Sequence, residues 1–195
     1  ATHQSVEDIA IMRSLPHMRI LAPCCPNQTA ALTRLMAQTP GVFYMRFGRE
    51  DDEVRYPADA VFSLGGSYTL REGGDAAILA HGRMVGFSLE AAELLMREGI
   101  SVRVVDMYSI KPLDEAAVLS AAAETKGVVV AEDHSVIGGL GGAVCELLCG
   151  KYPAPVTRIG MADCYGRSGT TEDLRRLYCL NADEIVKAVR RIVKT

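Results

Sequence analysis

Three stretches of this chain carry side chains that can do chemistry. Thr2-His3-Gln4 forms a polar loop ahead of a helical pattern, so His3 lies on no apolar face and has no core to fill. An imidazole exchanges its proton near neutral pH, which makes His3 a candidate for acid–base work. Arg46 and Arg49 bracket the end of the run "VFYMRF" (42–47). A guanidinium at the carboxyl end of a strand suits a phosphate, and a surface salt bridge is the other reading. Glu132-Asp133-His134 ends the strand pattern "GVVVAED" and leads into the glycine-rich "GGLGGAV" (138–144). That place, where a strand turns into a helix, is where open sheets meet anions and ligands. The spacing does not fit a dinucleotide site, because Val144 stands where G-x-G-x-x-G needs glycine or alanine. The glycines then serve a tight turn and a close approach of helix to sheet. Glu132, Asp133 and His134 fit an interface or supporting role, with no partner acid or base legible from sequence.

Metal and redox chemistry find little support. The six cysteines (Cys24, Cys25, Cys145, Cys149, Cys164, Cys179) form no C-x-x-C pair, and the four histidines are too dispersed for a zinc signature. They read as reduced thiols, with Cys145 and Cys149 on one small apolar stripe of a helix. His17 and His81 read as surface or strand-end residues. The net charge of −3, with Lys and Arg scattered, gives no footprint for nucleic acid or an anionic membrane. No run approaches the roughly 20 apolar residues of a membrane span, and the N-terminal stretch lacks the regions of a signal peptide, so a cytoplasmic location is expected.

These residues must be held by an α/β framework. With 195 residues, 49% hydrophobic, the chain can bury one full core and part of a second. A short helix over 6–14 ends before Pro16, "MRILAP" (18–23) reads as a strand, and Pro26-Asn27 opens a helix with Ala31, Leu32, Leu35 and Met36 on one face. Strand 42–47 follows Gly41. Residues 51–75, acidic at one end and glycine-paired at the other, read as a linker with a little strand in "VFSL" and "SYTL", exposed to proteases at 50–60 and 65–75. From Ala76 strands and helices alternate. Strands are expected at 76–82, 101–107, 127–133 and 155–160, with helices at 88–98 (capped by Ser88, stopped by Gly99), 113–124 and 141–149. The last helix has Asn181 as N-cap and Glu184 at its third position. Four strands alternating with helices predict a doubly wound, mostly parallel sheet covered on both faces.

The stretches "THQSVEDIAIMRSLPHMRILAP", "VFYMRFGR", "VVDMYSIKPLDEAAV", "AEDHSVIGGLGGAV" and "YGRSGTTEDLRRLY" together resemble transketolase, in particular the C-terminal subunit of its split form. The similarity covers essentially the whole chain. Among thiamine diphosphate enzymes, 1-deoxyxylulose-5-phosphate synthase and the β subunits of 2-oxo acid dehydrogenases are related.

The resemblance implies that residues 1–50 are the C-terminal part of a thiamine-binding pyrimidine domain, 51–75 a linker, and 76–195 a transketolase C-terminal domain. His3 then faces the reacting carbons of the substrate, and Arg49, which matches better than Arg46, binds the terminal phosphate of a sugar phosphate. Thiamine diphosphate and Mg²⁺ are the cofactors implied for the parent enzyme. The glutamate that activates the aminopyrimidine ring is expected upstream and the diphosphate site in another domain, so no cofactor-binding residue is assigned and none is expected to bind this stretch tightly. The chain, which starts at Ala1 without Met, is expected to be a truncated piece. A homodimer and an N-terminal transketolase subunit are the implied partners. Two alternatives remain: a piece of 1-deoxyxylulose-5-phosphate synthase, or a dimerisation module without chemistry of its own.

Overall fold

The computed structural model describes residues 5–48 and 53–194. Its elements follow in chain order. α1 (Asp8–Ser14), β1 (Met18–Leu21), α2 (Pro26–Gln38) and β2 (Val42–Met45) form the first part. The second comprises β3 (Tyr68–Arg71), β4 (Ala76–Ala80), α3 (Met84–Met96), β5 (Val102–Asp106), β6 (Ser109–Lys111), α4 (Glu115–Glu124), β7 (Val128–Ser135), α5 (Leu140–Lys151), β8 (Val156–Met161), α6 (Thr171–Leu177) and α7 (Ala182–Lys194).

The larger sheet has the strand order β3-β5-β4-β7-β8. β4, β5, β7 and β8 run parallel, and β3 adds an antiparallel edge against β5. Period-two alternation sends neighbouring side chains of each strand to opposite faces. Ala76, Ile78 and Ala80 of β4 face a core with Leu95 of α3 and Val189 of α7. Ala77 and Leu79 face another with Val118 of α4 and Leu140 and Val144 of α5. The sheet is thus covered on both sides, as its near-continuous apolar strands require.

Local chemistry places the helix ends. Pro26 occupies the first position of α2, where its missing N–H costs nothing. Asp114 caps α4 by accepting from Ala117 N at 3.0 Å, and Asn181 accepts from Glu184 N at 3.0 Å. The carboxylate of Glu184 pairs with Lys187 Nζ at 2.7 Å. Thr170 caps α6 by accepting from Asp173 N, a helix not expected from the sequence although its Thr-x-x-Asp spacing was there to be read.

Two expectations need correction. Ser88 does not cap α3, which starts a turn earlier because Met84 and Val85 are buried. The Ser88 hydroxyl instead donates to Met84 O within the helix, at 2.7 Å. "VFSL" forms no strand, whereas "SYTL" supplies β3. Around them Tyr56, Phe62, Tyr68 and Tyr108 pack as aromatic pairs with centroids 5.1 to 6.4 Å apart. The stretch "SIK", for which no element was expected, forms β6, which pairs antiparallel with β1 in a sheet of order β2-β1-β6. Ile9, Ile20, Ala22 and Ile110 fill the small core behind it.

Candidate functional site

The strand order reverses at β4, with β5 on one side and β7 on the other, and the crevice beyond the carboxyl ends there is the expected ligand place in an open sheet. His81 follows β4, Asp106 ends β5, and Glu132, Asp133 and His134 lie at the end of β7. The first part of the chain is laid over this end. Ala22 N donates to Tyr108 O at 2.8 Å and Gly82 N to Ala22 O at 3.3 Å. His81, at the end of β4, is therefore a fully buried strand-end residue, whereas His17 is exposed, in a left-handed turn at φ 62°.

Glu132 fills the position an anionic ligand would take. Its Oε2 accepts from Leu140 N at 2.8 Å and its Oε1 from Gly141 N at 2.9 Å, so a buried carboxylate sits on the positive end of α5. His134 Nδ1 and His81 Nε2 lie 3.6 and 3.8 Å from Oε2. The glycines permit this approach: a Cβ on Gly139 would collide with Glu132 Oε2, and one on Gly141 would stand 2.8 Å from Arg158 Cδ. The partner that the sequence did not disclose for Glu132 is the helix itself, with His81 beside it.

A second buried carboxylate, Asp106, is gripped from the first part. Its Oδ2 accepts from Gln28 Nε2 at 2.7 Å, Tyr56 OH at 2.8 Å and Cys24 Sγ at 3.5 Å. Burial pushes its carboxyl up to about 6, and the three hydrogen bonds offset part of that rise. The neighbouring Cys24 thiol draws the Cys25 thiol down to about 5 against burial, helped by backbone N–H groups of Arg55, Gln28 and Tyr56. Cys25 in turn, with burial, pushes Cys24 upward. All six cysteines are free thiols.

Arg46 is tied inward. It pairs with Asp133 through Nη1 and donates from Nη2 to Asp133 O at 2.8 Å, while Nε lies 3.5 Å from Asp8 Oδ2. Tyr44 OH also donates to Asp8, at 2.7 Å. Burial works against the Asp133 charge, but Arg46 and then His81 outweigh it and hold that carboxyl below its usual range. His3 and Arg49 lie outside the described residues. Sequence reasoning missed Asp8, Arg13, Gln28, Tyr56 and Asp106; of these only Asp106 carried a signal, as an acid closing an apolar strand.

The described cluster holds parts together. Among the described residues no group of three or more His, Cys, Asp or Glu is placed to bind a metal ion. The buried carboxylates Asp8, Asp106 and Glu132 each accept from groups of their own chain, while Asp8 Oδ1 and Asp106 Oδ1 have no hydrogen-bond partner. No helix among the described residues is long and apolar enough to cross a membrane.

Comparison with known proteins bears on both parts. Residues 65–185 match the family model described as "Transketolase, C-terminal domain". The chain belongs to the transketolase family. Residues 1–52 of this transketolase-family chain match "Transketolase, pyrimidine binding domain". It is 41% identical over 193 residues to the 6-deoxy-6-sulfo-D-fructose transketolase subunit SqwH of Clostridium sp. (strain MSTE9), covering 99% of this chain and 60% of that protein. It is 39% identical over 195 residues to a subunit of the apulose-4-phosphate transketolase of Phocaeicola vulgatus, covering 100% of this chain and 62% of that one. A solved structure named "Split gene transketolase, inactive beta4 tetramer" superposes with a TM-score of 0.95 at 43% identity, over 98% of this chain and 63% of that chain. The chain spans about three fifths of the length of the curated relatives it matches. Family members of this kind are transferases that use thiamine diphosphate.

Proposed function

We propose that this chain is part of a transketolase that moves a two-carbon ketol unit from a ketose phosphate to an aldose phosphate, with thiamine diphosphate and Mg²⁺ as cofactors. The observation that carries the reading is the match to the pyrimidine-binding and C-terminal transketolase models in succession along one chain, with a transketolase subunit among its relatives at 41% identity. In this reading His3 hydrogen-bonds substrate oxygens and assists proton transfer, and Arg49 anchors the terminal phosphate. Residues 1–50, 51–75 and 76–195 serve as the end of the pyrimidine domain, the linker and the C-terminal domain. An N-terminal subunit supplies the rest of the active site, two copies of this chain associate, and free thiols suit the cytoplasm.

The test uses the full-length subunit assembled with its N-terminal partner, thiamine diphosphate and Mg²⁺. A ketose phosphate donor with ribose 5-phosphate as acceptor should give ketol transfer, and pyruvate as donor should not. Turnover with pyruvate alone would overturn the reading in favour of a deoxyxylulose phosphate synthase. No turnover with either donor, from a complex whose mass by light scattering is dimeric in this subunit, would leave it an assembly module.

A further inference from the structure

The end of β7 grips the segment that leads into α1, residue after residue. Asp133 holds Arg46, and Arg46 Nη2 donates to Ser5 O at 3.3 Å. His134 Nε2 accepts from Ala10 N at 3.3 Å. Ser135 N donates to Val6 O at 2.7 Å. The turn beyond continues the grip: Arg13 Nη1 donates to Gly138 O at 2.6 Å and to Gly139 O at 3.2 Å, and Arg13 Nη2 pairs with Glu146 at 2.6 Å. Gly138, at φ 76°, presents no side chain, and a Cβ there would stand 2.7 Å from Ala10 Cβ.

The contact from His134 answers a need of the helix. Glu7, the N-cap of α1, provides no side-chain cap, and the first intrahelical bond is Ile11 N to Glu7 O at 3.1 Å. Ala10 N is one of the first-turn donors with no acceptor inside the helix. A side chain 124 residues further along the chain supplies that acceptor. His134 Nδ1 lies 2.7 Å from Ser135 O, so Nδ1 carries the proton and Nε2 keeps a free lone pair for Ala10. His134 is fully buried, which leaves the pairing no water to compete with it.

We propose that Asp133, His134 and Ser135, with the turn to Gly139, are positioning residues that fix the first turn of α1 and, through Ser5 and Val6, the Thr2-His3-Gln4 loop. The role rests on the transketolase reading, in which His3 acts on the substrate. Only Gln4 and Ser5 lie between His3 and Val6, a span of at most about 10 Å of extended backbone. An anchor on Val6 O and Ala10 N therefore limits where His3 can stand. The C-terminal domain gains a task in catalysis without touching the substrate.

The test compares His134→Leu with His134→Gln in the full-length subunit within its assembled enzyme. Gln can present Oε1 where Nε2 now lies; Leu keeps similar bulk without an acceptor. Hydrogen exchange over residues 5–12 should quicken about fivefold to tenfold in the Leu variant, in line with a lost cap, while exchange over β4 and β7 stays as it was. kcat should fall about tenfold or more from misplacement of the reacting group, with KM for the ketose phosphate within about threefold. The Gln variant should restore both. Arg13→Met, on a less buried side chain, should give the same pattern more weakly and decides the matter if His134→Leu does not fold.

Unchanged exchange over residues 5–12 would overturn the proposal, as would faster exchange with normal kcat. If the wild-type enzyme transfers ketol units but the exchange does not respond, the clamp fails and the transketolase reading stands. If the wild type transfers none, that reading fails, the positioning role falls with it, and exchange alone reports whether β7 holds α1.

Discussion

Tyr56 donates its phenolic hydrogen to Asp106 Oδ2 at 2.8 Å, joining the segment between the two parts of the chain to the end of β5. Both residues are buried, and Phe62 packs edge-on against the Tyr56 ring at 5.1 Å. Tyr56, Phe62 and Tyr108 belong to the larger of the buried cores.

Asp106 gives stability a pH dependence of definite sign. Its carboxyl rises from 3.8 to about 6 in the folded chain, so the folded state holds the proton more tightly than the unfolded state. Stability is then greatest below about pH 4 as far as this group is concerned, and falls as pH rises from about 4 to 6, by roughly 3 kcal/mol. Asp133 works oppositely and in a lower window, since a lowered carboxyl contributes stability that is lost as pH falls below its unfolded value of 3.8. Thermal unfolding of wild type and Asp106→Asn across pH 4 to 8 should differ by an amount that changes between pH 4 and 6. A constant difference would mean that another group titrates there. Tyr56→Phe should push the carboxyl higher still and cost about 1.5 to 3 kcal/mol at neutral pH.

Glu132 on the start of α5 should be among the most costly residues to truncate. Glu132→Ala leaves two buried N–H groups without an acceptor and two imidazoles without their nearest acid, so a loss of about 3 to 5 kcal/mol is expected by denaturant unfolding. Glu132→Gln should cost less, because an amide oxygen can still accept one of the two bonds. Gly139→Ala should also destabilise strongly, since its Cβ would collide with Glu132 Oε2. Equal stability of Gly139→Ala and wild type would show that the carboxylate can shift at no cost.

Limited proteolysis should respect the packing of the middle segment. Residues 162–170 are all exposed, whereas the region around Arg71 is paired in β3. Trypsin should therefore cut after Arg167 before it cuts after Arg71. Mass spectrometry of the first fragments decides the order. First cleavage at Arg71 would favour the sequence-based expectation of an open linker at 65–75.

His3 and Arg49 should fail differently in the assembled enzyme. His3→Ala removes acid–base assistance, so kcat and kcat/KM should drop by ~10² to 10⁴. Arg49→Ala removes a charge-assisted contact to a remote phosphate and should raise KM by about tenfold to a hundredfold. The Arg49 effect should shrink with sugars that carry no terminal phosphate. Equal impairment of phosphorylated and unphosphorylated sugars would remove Arg49 from the phosphate site.

Calorimetry on residues 1–195 alone should detect no tight thiamine diphosphate binding, because in the transketolase reading the diphosphate site belongs to another domain. A dissociation constant near ~1 µM, a binding free energy of about −8 kcal/mol, would contradict that assignment.

The sequence determined what depends on neighbours a few residues away. Apolar alternation and 3.6-residue spacing located the parallel strands and most helices, and capping chemistry fixed the helix starts at Pro26 and Asn181, because those signals act within one turn of chain. Ser88 misled because a serine can cap a helix or bond back inside one, and the burial of Met84 and Val85 decided between them. The strand β6 joined to β1, the antiparallel edge at β3 and the buried setting of His81 were decided only by tertiary structure. So were the partners of Asp133 and His134: Arg46 lies 87 residues from Asp133, and Ala10 lies 124 residues from His134. Contacts at such separation form only when distant segments return to the same sheet end. No local pattern records which donor and acceptor burial will then leave in need of each other.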